Sequence, residues 1–595
     1  FYHDYIDDAS WGPRIAGQEY IPWYAWYGGH ENAYKTARLT AQPSNVRDFY
    51  NQGITKQNNI NFVRGGDNYK VRVSYTNLDV EGIIPGTYLK KNSFNTNVTL
   101  DLNPYVSVNA NINYMNQQRN AENNDNYANA GSGSFNQWFH RDLDMNIMRN
   151  LRYLRTPGGI YASWNHNNPA AYSATDESAF YSANYWLNPF TFFDLVKAPD
   201  NRDRFYGDAG ITFKITRDLK IRGTYRRNQL VSKSSLTYPS EMEKSSTQSS
   251  FNQFEGNGLA GYGITNISST RQNYELLASY SKKIRSFQLN GNAGIDLLKS
   301  LDESYRINTV GGLKVPGLYS IANSESTPKN SSSATGNTQA YIPLNQRAWF
   351  VRADAGYKNT LFVEGSFRRN FLSSEPAGKS IDAYSMGASV IFSEWLKDKS
   401  ILSYGKIRAS VGQVNNRLAA FQLYNTYTPN AADVFTMSEP NTFIDPSLHG
   451  SVNTEKEIGI ETRWLKNRIG FSFTYWDRSN TDFPVSVSIS STTGYNGFRT
   501  NAGKIEKKGI ELQAFLNPVR SEKFDWRLDA SFSKLIRNQV VSIAPGVNRL
   551  TVASGAFSGS SSAYTVSSVD QPWGQLFGGG IKKLNGKPVL QSNGL

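Results

Sequence analysis

Period-two alternation of apolar and polar residues dominates this chain. Tyr69, Val71, Val73 and Tyr75 alternate with Lys70, Arg72, Ser74 and Thr76, and Phe94, Val98, Leu100 and Leu102 with Asn95, Asn97, Thr99 and Asp101. The cleanest run sets Val106, Val108, Ala110, Ile112 and Tyr114 against Ser107, Asn109, Asn111 and Asn113. Strict alternation is the signature of a strand with two unlike faces. A face of successive asparagines cannot pack a dry core, because each amide would need partners, so it faces water. The apolar face must then meet lipid or a second sheet. Length favours lipid: the segments run about 10–15 residues, whereas globular strands peak near 5–6 and membrane strands need about 9–11 to cross. The pattern begins near Asn58 to Arg64 and returns at Ala209 to Ile215, Leu219 to Tyr225, Tyr274 to Tyr280 and Phe287 to Leu297. It continues at Trp349 to Tyr357, Leu361 to Phe371, Tyr384 to Trp395 and Ile401 to Val411. Ile458 to Trp464, Ile469 to Trp476, Ile505 to Phe515 and Trp526 to Leu535 complete a set of about 16 strands.

The connections are asymmetric. Short turns such as Thr216-Arg217-Asp218, Lys358-Asn359 and Lys466-Asn467 alternate with long polar segments near 115–203, 228–270, 299–345, 415–452 and 536–570. Tight turns at one end and long loops at the other are the build of an outer-membrane barrel. A sandwich has no reason to segregate loop length, and no repeat of about 40–50 residues marks a propeller. The expected organisation is a loop region over 1–57, barrel strands over 58–540 with their largest loop at 115–203, and over 541–595 a further loop and the start of the next strand region. Within the first part, Ser44 reads as the N-cap of a short helix through Val46 and Phe49.

Composition agrees once the pattern is known. Mean hydropathy is −0.53, and no run of about 18 apolar residues occurs, which excludes a helical membrane protein. Yet aromatic residues reach 13%, as expected where only alternate residues face lipid and aromatic rings collect at both interfaces. The chain has no cysteine, so disulfides, thiolate metal sites and cysteine nucleophiles are excluded. Its net charge of +14 is scattered along strands and turns and lacks the clustered footprint of a nucleic-acid binder. A basic lumen, or contact with outer-membrane lipid and lipopolysaccharide phosphates, accounts for it.

Several segments, in order, resemble one family. Asp8-Ala9-Ser10-Trp11-Gly12-Pro13-Arg14 and Asn45-Val46-Arg47-Asp48-Phe49-Tyr50 are similar to the stretch leading into the early barrel of SusC/RagA-like TonB-dependent transporters. Phe62-Val63-Arg64-Gly65-Gly66, Val71-Arg72-Val73-Ser74-Tyr75 and Glu81-Gly82-Ile83-Ile84-Pro85 resemble the hairpin that follows. Gly405-Lys406-Ile407-Arg408-Ala409-Ser410, Glu455-Lys456-Glu457-Ile458-Gly459-Ile460-Glu461, Tyr475-Trp476-Asp477-Arg478 and Asn501-Ala502-Gly503-Lys504-Ile505-Glu506-Lys507-Lys508-Gly509-Ile510-Glu511 match in order and spacing. The resemblance implies a 22-stranded transmembrane antiparallel barrel around an N-terminal plug, in the bacterial outer membrane with long loops facing the exterior. It further implies TonB as energy source through the N-terminal region, a SusD-like lipoprotein partner, and a glycan or peptide as cargo. No TonB box or plug is recognisable here, so the chain is expected to be the middle of such a protein.

No cofactor, metal site or catalytic residue is expected. The five histidines, His3, His30, His140, His166 and His449, fall in predicted loops, and no two have metal-ligand spacing. Asp142 and Asp144 form a local acidic pair without the further oxygens that calcium takes. In the 115–203 loop, Trp138, Tyr161, Trp164 and Trp186 are candidate ligand-binding aromatics, able to stack on sugars or peptide side chains. The competing reading, that they pack the loop onto itself or onto a partner, is favoured, since large loops need their own small core. Lys70, Arg72, Lys220, Arg222 and Arg226 alternate with apolar neighbours and are expected to face the lumen, clamping a plug or lining the substrate path. Trp349, Trp395, Trp464, Trp476 and Trp526 are expected in the interfacial girdles. Import with a surface lipoprotein is the leading functional reading; a structural or secretion role, or a passive porin, are its rivals.

Overall fold

The structure, a computed structural model, describes all residues except 10, 121–134, 136–137, 246–258, 330–338, 431–435, 556–562, 579–582 and 590–595. Parts of each predicted long loop, and Ser10 of the resemblance motif, therefore lie outside the described residues. Sixteen long strands form the wall. They are β1 (Ile54–Gly65), β2 (Tyr69–Glu81), β3 (Tyr88–Asn103), β4 (Val106–Asn120), β5 (Pro199–Lys214), β6 (Leu219–Tyr238), β7 (Gly261–Ile284) and β8 (Phe287–Leu313). The second half is β9 (Gln339–Tyr357), β10 (Leu361–Leu372), β11 (Ile381–Val390), β12 (Leu402–Asn415), β13 (Val452–Trp464), β14 (Ile469–Ser488), β15 (Gly497–Arg520) and β16 (Asp525–Ser542). Each predicted segment overlaps one of these.

Consecutive strands pair antiparallel, residue by residue, from β1 through β16. The order of the sheet brings β16 round to β1 as in a closed barrel. Among the described residues that seam carries no residue ladder, however: β1 along its length and β16 from Asp525 to Ile536 are exposed on both faces.

The tight turns are built from residues that tolerate left-handed backbone. Lys358 and Asn359 have φ of 49° and 56°, and Lys466 and Asn467 have 56° and 64°. Two successive positive-φ residues give the turn whose twist matches the flanking strands. At the opposite end the ladders run on past the alternating segments. β7 and β8 stay paired as far as Gly263 and Asn308, in stretches read as loop from the sequence. Ser268, Ser269, Thr270 and Arg271 are polar on both faces there, so no period-two signal survives. In the other direction, the strand predicted over Tyr384 to Trp395 ends at Val390, and Phe392–Trp395 makes a helical turn.

Register sorts the two faces. Val98, Ala110, Ala209, Tyr225, Tyr274 and Leu297 line up across six strands on one apolar face. Leu276, Ile295 and Leu297 there are 42–50% exposed, the outward belt of a transmembrane barrel. Trp349, Trp395, Trp464 and Trp526 are exposed, and Trp349 and Trp464 share the outward rows of Ile295 and Ile469. Trp476 departs from the expected girdle. It stands opposite Glu457 and Gly509 on the polar face, where a Cβ at Gly509 would lie 2.5 Å from its ring.

The faces make opposite predictions for one residue type. Ile407, 45% exposed on the outward face, replaced by arginine should cost about 2–4 kcal/mol in a lipid-refolded barrel. Ser410→Arg, on the inward face opposite Glu457, should cost less than about 1 kcal/mol. Urea unfolding in lipid vesicles reads the difference; equal costs would contradict the assignment of faces.

Candidate functional site: a polar inner face and an aromatic cap

The inner face is a hydrogen-bonded polar surface. Asp208 accepts from Asn109 at 3.2 Å and Asn111 at 2.9 Å, and Asn97 donates to Asn111. Arg222 reaches Asn109 at 3.1 Å, and Arg226 reaches Asn273 at 2.7 Å and Glu275 at 3.0 Å. Asn273 donates to Asp296, which also receives Arg368 at 2.7 Å. The five candidate cations all lie on this face by register: Lys70 and Arg72 on the row of Thr99 and Asn97, and Lys220, Arg222 and Arg226 opposite Lys214, Thr212 and Asp208. Arg72 is held loosely, 3.4 Å from Asn61. Lys70 and Lys220 have no ion pair among the described residues, and the pairs that do form are half-exposed and individually weak.

At the long-loop end sits a cap made from the segment before β1, the β4–β5 connection and the turn after β6. Its helices are α1 (Asn45–Phe49), α2 (Met145–Asn150), α3 (Ser178–Tyr181) and α4 (Pro189–Leu195). Two of them carry local side-chain caps. Asp144 caps α2 by accepting from the Asn146 and Ile147 amides, and Asn188 caps α4 by accepting from Phe190, with Pro189 pre-set for the first turn. Asn188 also donates to the Met148 carbonyl at 2.7 Å, joining the two helices. Ser44 precedes α1 as expected, but its hydroxyl donates to Asp48 at 2.6 Å instead of capping an amide.

The cap has a core of its own. Phe49 meets Phe135 and Phe190 at ring separations of 5.1 and 5.4 Å, and Phe139 meets Trp164 at 5.8 Å. The same cluster includes Tyr238 at the end of β6, with Ile84 and Leu236 against it, so the core grips the barrel rim. Tyr161, Trp164 and Trp186 are 3%, 2% and 8% exposed, inside this cluster, and Trp138 packs half-buried against it. The Trp186 indole donates to Asp8 at 2.6 Å. Three of the four candidate ligand aromatics are thus buried in the protein's own core. Asn165, fully buried, accepts from the Tyr185 and Trp186 amides and donates to the Tyr5 carbonyl at 2.6 Å, which ties the first residues to the loop. The Asp142 and Asp144 pair is split: Asp144 caps α2, whereas Asp142 turns to His3, 3.5 Å away. His3, His140 and Asp142 come together, a grouping that sequence spacing hides because its members lie so far apart along the chain.

Burial tunes several groups here. Burial pushes the Tyr161 phenol up to about 12, helped by its bond to Glu241, and raises the Asp8 carboxyl. His166, between the rings of Tyr5, Tyr27 and Phe180, is held by burial at about 4, below its ordinary 6.5. The unfolded imidazole takes its proton near 6.5 and the folded one only near 4, so the cap is stabilised fully above 6.5. Stability falls as pH drops from 6.5 through 4, by up to roughly 3 kcal/mol. Asp8, raised by burial, acts in the opposite sense. Protease cutting of the cap should therefore accelerate from pH 7 to pH 4.5, and His166→Phe should flatten that rise; an unchanged rise would reject the role of His166. Trp164→Ala should loosen the cap by about 3–5 kcal/mol, seen as fast amide exchange across Phe139 to Phe193 with the strands still protected.

Known proteins share this fold. Residues 149–582 match the family described as TonB dependent receptor-like, beta-barrel. TonB-dependent receptor P39 of Formosa agariphila is 23% identical over 522 residues, covering 84% of this chain and 44% of that protein. TonB-dependent receptor P26 of the same organism is 21% identical over 455 residues, covering 71% and 43%. The chain thus spans under half the length of these curated relatives. Among solved structures, the RagAB peptide importer in its 'closed-closed' state superposes with a TM-score of 0.69 at 15% identity, over 90% of this chain and 55% of that one. The RagAB peptide transporter superposes at 0.66 and 15% identity, over 88% and 54%; both likenesses are of fold. With an apolar belt outside, a polar inner face and a family match over well more than half its residues, the chain belongs to the TonB-dependent receptor β-barrel family of the outer membrane.

Proposed function

We propose that this chain is the barrel and cap of an energy-driven importer that takes up a nutrient oligomer, a peptide or an oligosaccharide. The observation that carries this reading is the cap. A passive pore is served by an open mouth, whereas here the long-loop end bears a self-packed aromatic unit gripping the rim at Ile84, Leu236 and Tyr238. Cargo bound beneath such a cap needs a partner that opens and closes over it. In this reading the long loops face the exterior and a SusD-like lipoprotein sits against them. A plug fills the lumen, with Lys70 and Lys220 facing its acidic groups, and TonB drives it from the other side. The exposed edges of β1 and β16 are where the further strands of a longer barrel would pair, in keeping with relatives twice this length. RagAB, which shares the fold, is described as a peptide importer, and a peptide is the first cargo to test.

Uptake of labelled oligopeptides and oligosaccharides by a strain lacking the gene, complemented with the full-length protein, checks the proposal. Uptake of one class should return on complementation and fall to background when TonB is also deleted. Uptake that persists without TonB would make the protein a porin. Restored surface assembly without any uptake would assign it a structural or secretion role.

A further inference from the structure

We propose that His3, His140 and Asp142 form a binding site for a zinc-class divalent cation, which ties the first residues of the chain to the cap loop. One ligand atom from each of the three lies within 4.8 Å of the others. Around a tetrahedral ion with bonds of about 2.0–2.1 Å, neighbouring donor atoms stand roughly 3.3–3.5 Å apart. His3 Nδ1 and Asp142 Oδ2 are already at 3.5 Å. That is longer than a hydrogen bond, whose upper range is about 3.2 Å, and it is the separation that two ligands of one ion keep. A simple ion pair would account for His3 and Asp142; His140 adds a third donor within reach of both, a set that one ion can share.

Both imidazoles are held in place by their surroundings. The His3 ring stacks on Tyr20 with centroids 4.8 Å apart, and the His140 ring meets Trp164 edge-on at 5.1 Å. His140 Nε2 stands 2.7 Å from the Asp7 carbonyl oxygen. Facing an acceptor, that nitrogen carries the proton, which fixes the tautomer and leaves the lone pair on Nδ1. A backbone carbonyl on the far nitrogen is the usual support of a metal-binding histidine. Two nitrogens and one carboxylate suit zinc and its neighbours, whereas calcium or magnesium would seek about six or more oxygens. All three residues border one cavity of about 420 Å³, so a water can take the fourth position and the ion has a path in. The three residues lie on the two segments that Asn165 and Trp186 already join, and a shared ion would fasten them further.

The test uses full-length protein in detergent, stripped with chelator and titrated with Zn²⁺ against a chromophoric competitor. One equivalent should bind with micromolar affinity or better, and Co²⁺ in its place should give the visible absorption of a four-coordinate site. His3→Ala with His140→Ala removes two of three ligands and should weaken binding by more than the roughly 100-fold that loss of an outer partner alone can cost, with the barrel still migrating as folded on unheated gels. Absence of a stoichiometric equivalent in the wild type would overturn the proposal. So would a double variant that binds Zn²⁺ as tightly as the wild type.

Discussion

Lipid offers no hydrogen bonds, so every backbone amide and carbonyl that crosses the membrane must find its partner within the protein. The rest of the structure follows from that constraint. Strands satisfy it through long ladders, and a long ladder leaves each strand two faces to dispose of. One face is set to lipid by Val98, Tyr274, Leu297 and Ile407. The other collects Asn97, Asn109, Asn111, Asp208, Arg226 and Asp296 into shared hydrogen bonds. Arg408 shows how strict the division is. It adjoins lipid-facing Ile407, yet it points inward to Glu457 and Thr474, both at 2.8 Å. The same constraint makes the seam between β1 and β16 the weakest point of the wall, since a strand edge without a ladder invites pairing.

The cap obeys different physics. Above the lipid its backbone can be solvated, and what holds it is burial of large rings. Its core is unusually aromatic, with Phe190, Phe49, Phe135, Phe139 and Trp164 joined in a chain of ring contacts. Edge-on aromatic pairs add about 0.5–1.5 kcal/mol each beyond area burial, enough to order a unit with only short helices. Hydrogen bonds from Asn165 and Asn188 then choose one arrangement of those rings.

The wall was legible in the sequence because alternation is local. Val106 through Tyr114 states both faces of β4 in nine residues, and the Lys358-Asn359 turn announces itself. The upper parts of β7 and β8 were not legible, since their residues are polar on both faces and pair only because the ladder below fixes their register. Trp476 misled because a tryptophan near a strand end suggests an interface, whereas parity with Glu457 turns it inward. In the cap, the aromatic content of the 115–203 loop was legible but its partners were not. Tyr5, Trp23, Tyr27 and Phe49 come from a distant segment, and the meeting of His3 with His140 and Asp142 depends wholly on that tertiary contact.

The division of faces is tested most directly by placing single cysteines along β12, in a chain that has none, and labelling each with a fluorophore in lipid vesicles. A quencher confined to the acyl chains should dim labels at 407, 409 and 411 and spare those at 406, 408 and 410. Quenching without alternation along β12 would contradict the barrel described here.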